Sequence, residues 1–148
     1  MLKNLVTTAS MILYYIFLFH QSAVAFSEFN KSKKLEGNKK SDDNNESNAP
    51  SLGAIKYGSD NSNVRAANRL VGNFHEQVIP FLVSLYLHAT FVSVKGACTC
   101  GWAWIFFRSY YGYVYKKGVP ILFLSTIPAY CCVWYMIGGT IYGVSTMD

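Results

Sequence analysis

Residues 69–82 read RLVGNFHEQVIPFL, and the spacing of the polar residues in this stretch decides the fold. Arg69, Asn73, Glu76 and Pro80 lie at offsets of 0, 4, 7 and 11 along the chain. An α-helix turns by about 100° per residue, so these four side chains fall within an arc of about 60°. Charged groups are costly inside a membrane and face protein, water or a ligand there. The stretch therefore predicts a helix that carries one polar stripe.

A second stripe follows at residues 101–115, which read GWAWIFFRSYYGYVY. Relative to Arg108, the side chains of Trp104, Tyr111 and Tyr115 lie at offsets of −4, 3 and 7, which again places them in a single arc. The helices that carry the two stripes are predicted to be antiparallel neighbours, because the connection between them is short. The two stripes can therefore meet at one end of a helical bundle.

Outside these stripes the chain is dominated by apolar residues. Its 148 residues are 51% hydrophobic and 14% charged, whereas ordinary soluble domains carry about a quarter charged residues. A helix needs about 20 apolar residues to span a bilayer. The composition argues against a soluble enzyme and against a disordered chain. It predicts an all-α fold, a four-transmembrane-helix bundle, with spans at about residues 5–26, 68–94, 97–116 and 119–144.

Short turns are predicted between the last three helices, at Lys95–Gly96 and at Gly118–Pro120. Pro120 suits the opening of the last helix, and Pro128 predicts a kink inside it. In a four-helix topology the first loop and the Lys116–Lys117 turn lie on the same side of the membrane. Because cytoplasmic loops are enriched in Lys and Arg, this basic side is predicted to face the cytosol.

The chain divides into three predicted parts. Residues 1–26 form a first transmembrane helix or a signal-like leader, since Ala23-Val24-Ala25 after an apolar run resembles a cleavage site. Residues 27–63 are polar and predict a flexible loop without secondary structure. Residues 64–148 form a membrane domain with three helices. Both alternatives for the first part stay open at this point.

Charge and cysteine patterns exclude two kinds of partner. The net charge is +5, but residues 27–68 hold seven basic and six acidic side chains, so no basic stripe predicts nucleic-acid binding. Cys98 and Cys100 form C-T-C, and Cys131 and Cys132 are adjacent. Neither spacing is a zinc or redox motif, so we expect no metal.

The polar stripes allow a structural and a functional interpretation. In the structural one, Arg108 and Glu76 form a buried ion pair that holds the bundle together, and Asn73 hydrogen-bonds across helices. In the functional one, the stripes hold a zwitterionic peptide. Arginines grip its carboxylates with paired hydrogen bonds, and the Glu76 carboxylate accepts its ammonium group.

These residues resemble a known family. Residues 69–82 resemble the R-x-x-x-N-x-x-E-x-x-x-P-F-L signature of MAPEG proteins, the membrane-associated proteins in eicosanoid and glutathione metabolism. The segment beginning at Arg108 resembles the family's R-x-x-Y-x-x-x-Y pattern. The resemblance covers about residues 64–145. Within the family, the chain resembles the microsomal glutathione S-transferases. The resemblance implies a four-helix subunit, a homotrimer, and glutathione bound between subunits near the cytosolic face.

The resemblance also implies an activity, in which glutathione is the co-substrate and no metal takes part. The glutathione thiolate attacks a lipophilic electrophile or reduces a lipid hydroperoxide. Arg108 and Tyr111 are the implied catalytic residues. By the motif match, the residues implied to bind glutathione are Arg69, Asn73, Glu76, Gln77, Arg108, Tyr111 and Tyr115.

One departure from the family pattern favours an alternative function. Several active members carry an arginine at the start of the fourth helix, where residues 119–124 read VPILFL. One hypothesis is that Arg108, Tyr111 or a lysine takes the place of this arginine in stabilising the glutathione thiolate. The alternative is a non-enzymatic lipid-binding or scaffold protein. The expected location is the membrane of the endoplasmic reticulum or nuclear envelope, with a plastid or other organelle membrane as the alternative.

Overall fold

The computed structural model describes residues 2–39, 51–58 and 61–147. Over these residues it is all-helical, without β-strands, as the sequence predicts. The helices, in chain order, are α1 Leu2–Lys39, α2 Leu52–Gly58, α3 Ser62–Phe91, α4 Val94–Ser109, α5 Tyr111–Lys117 and α6 Val119–Ser145.

Two helices in the described part of the chain are long and apolar enough to cross a membrane. They correspond to the stretches Leu2–Leu35 and Pro120–Ser145, of 34 and 26 residues. Both keep most of their surface outside the core of the isolated chain, where acyl chains can cover it. The predicted spans at about residues 68–94 and 97–116 also form helices. Polar side chains lower the hydropathy of the first, and the second is divided into α4 and α5, of 16 and 7 residues.

The first helix runs further than the sequence predicts. Instead of ending near residue 26, α1 continues to Lys39, and α2 forms a further helical turn at residues 52–58. The polar residues 27–39 include no proline, and their Lys and Glu residues have good helix propensity, which favours continuation of the helix. The predicted loop otherwise falls mainly on residues 40–50 and 59–60, outside the described residues.

Caps, rather than the predicted turn, set the ends of α3 and α4. The Asn61 side chain accepts a 2.9 Å hydrogen bond from the Asn63 backbone N–H and starts α3 earlier than residue 68. The Ser93 hydroxyl accepts a 3.2 Å bond from the Gly96 N–H and starts α4. Side-chain caps of this kind satisfy N–H groups that have no intrahelical partner. The α3–α4 turn therefore lies at Val92–Ser93, and Lys95 already belongs to α4.

The third predicted span is broken into α4 and α5 at Tyr110. The Tyr110 hydroxyl donates to the Leu124 carbonyl of α6 at 3.2 Å, which ties the break to the last helix. α5 then ends at Lys117, and the Gly118 that follows has a φ of 101°, in a region that glycine adopts readily. Pro120 falls in the opening turn of α6, as predicted, and Pro128 lies inside that helix.

An aromatic stack holds α3 against α4. The ring of Phe81 lies parallel to Trp104 at 3.9 Å between centroids, and Phe74 packs on the same indole at 5.5 Å. All three side chains are buried. Stacked aromatic pairs of this type add specificity beyond the area they bury. The stack sets how far α3 slides along α4, and hence which polar groups of the two helices meet.

The first helix packs closely on α4 at Gly101. A Cβ atom at this position would lie 2.6 Å from Cγ1 of Val6 and 3.2 Å from Cδ1 of Leu85. Val6 is 0% exposed. Residues of α1 thus belong to the core of the bundle, although the two alternatives for residues 1–26 of the mature protein stay predictions.

Candidate functional site

The two polar stripes meet through Arg108 and Asn73. Nη1 of Arg108 donates a 2.6 Å hydrogen bond to Oδ1 of Asn73. The guanidinium also lies over two rings of its own stripe, with Cζ 5.7 Å from the Trp104 centroid and 5.6 Å from that of Tyr111. Cation–π contacts of this kind stabilise a desolvated arginine. The prediction that Asn73 hydrogen-bonds across helices is confirmed.

Arg108 nevertheless keeps unsatisfied donors. It is 1% exposed, and its Nε and Nη2 have no hydrogen-bond partner among the described residues. The Trp104 Nε1 beside it is in the same condition. Buried polar groups are nearly always paired, so each exception needs an acceptor from elsewhere. The positive charge of the guanidinium favours an anionic one.

The predicted ion pair between Arg108 and Glu76 is not what forms. Glu76 is exposed, and the salt bridge present in the described part of the chain joins Lys31 to Glu28 within α1. The reason is depth along the helix axis. Asn73 and Glu76 share a face of α3 but differ by three residues, which is about 4.5 Å along the helix. Packing brings Asn73, and not Glu76, level with the guanidinium.

The other predicted residues surround this bond. Arg69 is exposed, Tyr115 is partly buried, and Tyr111 is buried with its ring stacked on Tyr115 at 6.0 Å. The Tyr111 phenol interacts electrostatically with Arg108, Arg69, Tyr115 and Glu76. The structure therefore gathers the predicted residues of both stripes at one end of the bundle. We call the group the polar cluster, and it comprises Arg69, Asn73, Glu76, Arg108, Tyr111 and Tyr115.

Gln77 differs from the rest of the predicted set. Its side chain is 5% exposed, whereas its neighbour Glu76 faces outward. Consecutive helical residues point about 100° apart, so the two side chains cannot share a face. Pro80 continues the exposed line of the α3 stripe. Gln77, although predicted to bind glutathione, thus lies in the interior of the isolated chain.

Two cations line a cavity beside the start of α6. Leu122 lines a cavity of about 510 Å³ together with Arg65, Tyr115 and Lys116. Lys116 is a lysine of the kind expected to substitute for the arginine, and Arg65 is a second cation that the sequence analysis does not predict here. Its sequence signal is its spacing, since Arg65 precedes Arg69 by four residues and so extends the same stripe. Leu124, by contrast, is 64% exposed on the outside of α6.

The described part of the chain is all-helical, carries two apolar helices of membrane-spanning length, and gathers polar side chains around a buried guanidinium at one end, which together indicate an α-helical membrane protein. The family model described as MAPEG family matches residues 5–142. The chain therefore belongs to the MAPEG family, and the resemblance noted in its sequence is confirmed. The match extends beyond residues 64–145 to include the first helix. No curated protein matches the chain.

Proposed function

We propose that this protein is an integral membrane glutathione transferase or peroxidase. In this proposal α1, α3, α4 with α5, and α6 form a four-helix membrane subunit, three copies assemble as a homotrimer, and glutathione binds between subunits. The observation that carries the proposal is the polar cluster, in which two nitrogens of the buried Arg108 have no partner within the described structure and Arg69 and Glu76 are exposed.

The chemistry of the polar cluster matches the charges of glutathione. The exposed Arg69 guanidinium suits a carboxylate, which it can hold with two parallel hydrogen bonds. The exposed Glu76 carboxylate suits the ammonium group of the γ-glutamyl residue. Arg108 holds Oδ1 of Asn73, so the amide directs its Nδ2 hydrogens away from Arg108 and towards an acceptor on the ligand.

The proposed reaction begins with loss of the glutathione thiol proton. A free thiol has a pKa near 8.5, and positive charge or hydrogen bonds to sulfur lower that value. The Tyr111 hydroxyl is the proposed hydrogen-bond donor to the sulfur, and the Arg108 guanidinium, 5.6 Å from the centroid of the Tyr111 ring, supplies positive charge nearby. The thiolate then forms a carbon–sulfur bond to an electrophilic carbon, and the leaving group departs with its electron pair. One cleft holding both reactants supplies the gain in proximity.

The peroxidase reaction balances with two glutathione molecules. The first thiolate attacks the terminal oxygen of a lipid hydroperoxide, so that the O–O bond breaks and the lipid leaves as an alkoxide that takes up a proton. The resulting sulfenic acid reacts with a second glutathione to form a disulfide and water. The lipophilic substrate enters from the bilayer in both reactions.

A second candidate is a non-enzymatic lipid-binding or scaffold member of the family. The specific observation that favours it is the sequence VPILFL at residues 119–124, which has no arginine, whereas several active members carry one at the start of the fourth helix. In both candidates the polar end of the bundle faces the cytosol, and the membrane is that of the endoplasmic reticulum or nuclear envelope.

Glutathione binding to the detergent-solubilised full chain tests the proposal. We expect saturable binding by equilibrium dialysis, weakened about tenfold in Arg69→Ala because one charged hydrogen-bonding group is removed. Lys95→Ala, a surface cation near the turn at the other end of α3, is the matched control and is expected to bind normally.

Turnover then separates the two candidates. Conjugation of glutathione to a chloronitrobenzene, or reduction of a lipid hydroperoxide, supports the enzyme. Binding without turnover supports the non-enzymatic alternative. Absence of both binding and turnover in a folded, monodisperse sample would overturn the proposal.

A further inference from the structure

We propose that the cleft between α1, α3 and α5 binds one anionic phospholipid, with an acyl chain beside Phe17 and Leu70 and the phosphate beside Lys116. The cleft itself is lined by none of the six residues of the polar cluster. Its ligand is a membrane lipid rather than the peptide proposed above.

Small residues open the apolar part of this cleft. It has a volume of about 310 Å³, and α1 contributes Ile16 and Phe17 to its wall. The facing surface of α3 presents Ala66 and Ala67, which leave room that larger side chains would fill. A cavity of this size is at the lower end of those that hold small ligands. Because its α1 wall belongs to a candidate membrane span, the cleft is placed to receive an acyl chain.

The mouth of the cleft is cationic. Lys116 lines both this cleft and the neighbouring cavity of about 510 Å³, which also contains Arg65. Ala66 is shared as well, so the two spaces adjoin. Among the described residues, those that line the two spaces include no Asp or Glu. An apolar slot that ends at two cations is complementary to a lipid chain that ends at a phosphate.

Polar side chains near Lys116 complete the match. His20, Ser109 and Tyr113 also line the cleft, and each carries a group that can donate a hydrogen bond to a phosphate oxygen. These side chains come from both α1 and the α4–α5 segment. A headgroup held here would bridge the two elements.

The cleft and the polar cluster use different faces of α5. Gly112 and Lys116, four residues apart, face the cleft, whereas Tyr111 and Tyr115 belong to the polar cluster. Adjacent positions on a helix diverge by about 100°. Filling the cleft is therefore expected to leave glutathione binding intact, and the two proposals can fail separately.

Photolabelling of the reconstituted full chain tests the lipid site. The probe is phosphatidic acid with a diazirine on one acyl chain, present at low abundance in phosphatidylcholine vesicles, and labelled peptides are identified by mass spectrometry. We expect labelling of the α1 peptide that contains Ile16 and Phe17 to exceed labelling of the exposed α6 surface around Trp134. In Lys116→Gln this excess should fall about fivefold, the factor that corresponds to the contribution of one lysine at an anionic lipid surface.

Two variants keep the result interpretable. Lys95→Gln removes the same charge elsewhere and is expected to leave the labelling unchanged. Ser109→Phe fills the cleft while keeping Lys116, and is expected to abolish the excess on α1 without changing glutathione binding. Equal labelling of α1 and α6, or an excess that survives both Lys116→Gln and Ser109→Phe, would overturn the proposal. Displacement of the probe by inorganic phosphate would also overturn it, because the site would then take a soluble anion.

Discussion

The guanidinium of Arg108 and the amide of Asn73 form a 2.6 Å hydrogen bond that joins α4 to α3. The bond lies beside the stack of Phe74 and Phe81 on Trp104, so the packing of the core fixes its position. It ties a partly buried amide on α3 to a buried charge on α4. A change on either partner should therefore alter both the stability of the bundle and the orientation of Asn73.

Removing the acceptor from Arg108 should destabilise the fold more than removing both partners. We expect Asn73→Leu to lower the free energy of unfolding by about 2–3 kcal/mol, because it leaves a buried charged donor without a partner. The double variant Asn73→Leu/Arg108→Met should recover part of this loss. Denaturant unfolding followed by tryptophan fluorescence measures each step. Equal losses in the single and double variants would contradict a coupled pair.

Replacing the carboxylate of Glu76 should weaken glutathione binding only through the lost contact with the ammonium group of glutathione. We expect Glu76→Gln to lower glutathione affinity about tenfold, because a hydrogen bond between two charged groups is lost. An analogue of glutathione without the α-amino group should bind wild type and Glu76→Gln equally well. Calorimetric titration of wild type and Glu76→Gln with both ligands measures the four affinities. If the substitution lowered the affinity for both ligands equally, Glu76 would not bind the ammonium group.

An arginine introduced at one position of α6 should raise the rate of glutathione conjugation, whereas an arginine at a second position should not. Leu122 lines the same cavity as Tyr115, so we expect Leu122→Arg to increase the rate of glutathione conjugation about tenfold by stabilising the thiolate. Leu124→Arg adds the same charge on the exposed side of α6 and should have no such effect. Initial rates with a chloronitrobenzene compare the two variants. Equal rates in Leu122→Arg and wild type would show that arginine at this position is insufficient.

The contact between Val6 and Gly101 tests whether α1 remains in the folded protein. We expect Gly101→Ala to lower the free energy of unfolding by about 1–3 kcal/mol, because the new methyl group overlaps Val6. Val6→Ala in the same chain should relieve the overlap. Gly138→Ala is the control, since no neighbour lies within 4 Å of its Cβ position, and it should stabilise α6 by about 1 kcal/mol.

Unfolding midpoints of these variants also bear on the leader. If residues 1–26 were removed as a signal peptide, Gly101→Ala would not meet Val6 and the second substitution would have no effect. Mass spectrometry of the purified protein gives the length of the mature chain directly. A destabilisation that Val6→Ala relieves is the outcome expected for a retained helix.

Much of the fold follows from local chemistry that the sequence contains. The bounds of α6 are close to those predicted, because Pro120 opens the helix and the residues that follow are apolar throughout. The end of α1 was harder to predict. Low hydropathy in residues 27–39 indicated a loop, but helix propensity does not depend on hydropathy, and the helix continues to Lys39. The break at Tyr110 was not predicted, since it is accompanied by a hydrogen bond to Leu124 that local sequence does not reveal.

The sequence by itself determined which side chains share a face, because helical periodicity follows from spacing alone. It placed Arg69, Asn73 and Glu76 on one stripe and Arg108 on another, and the two stripes do meet. Only the tertiary structure decided that Arg108 bonds to Asn73 and that Glu76 stays exposed. Depth along the helix axis depends on how α3 and α4 slide against each other. That displacement is set by the packing of buried rings, which periodicity within one helix does not contain.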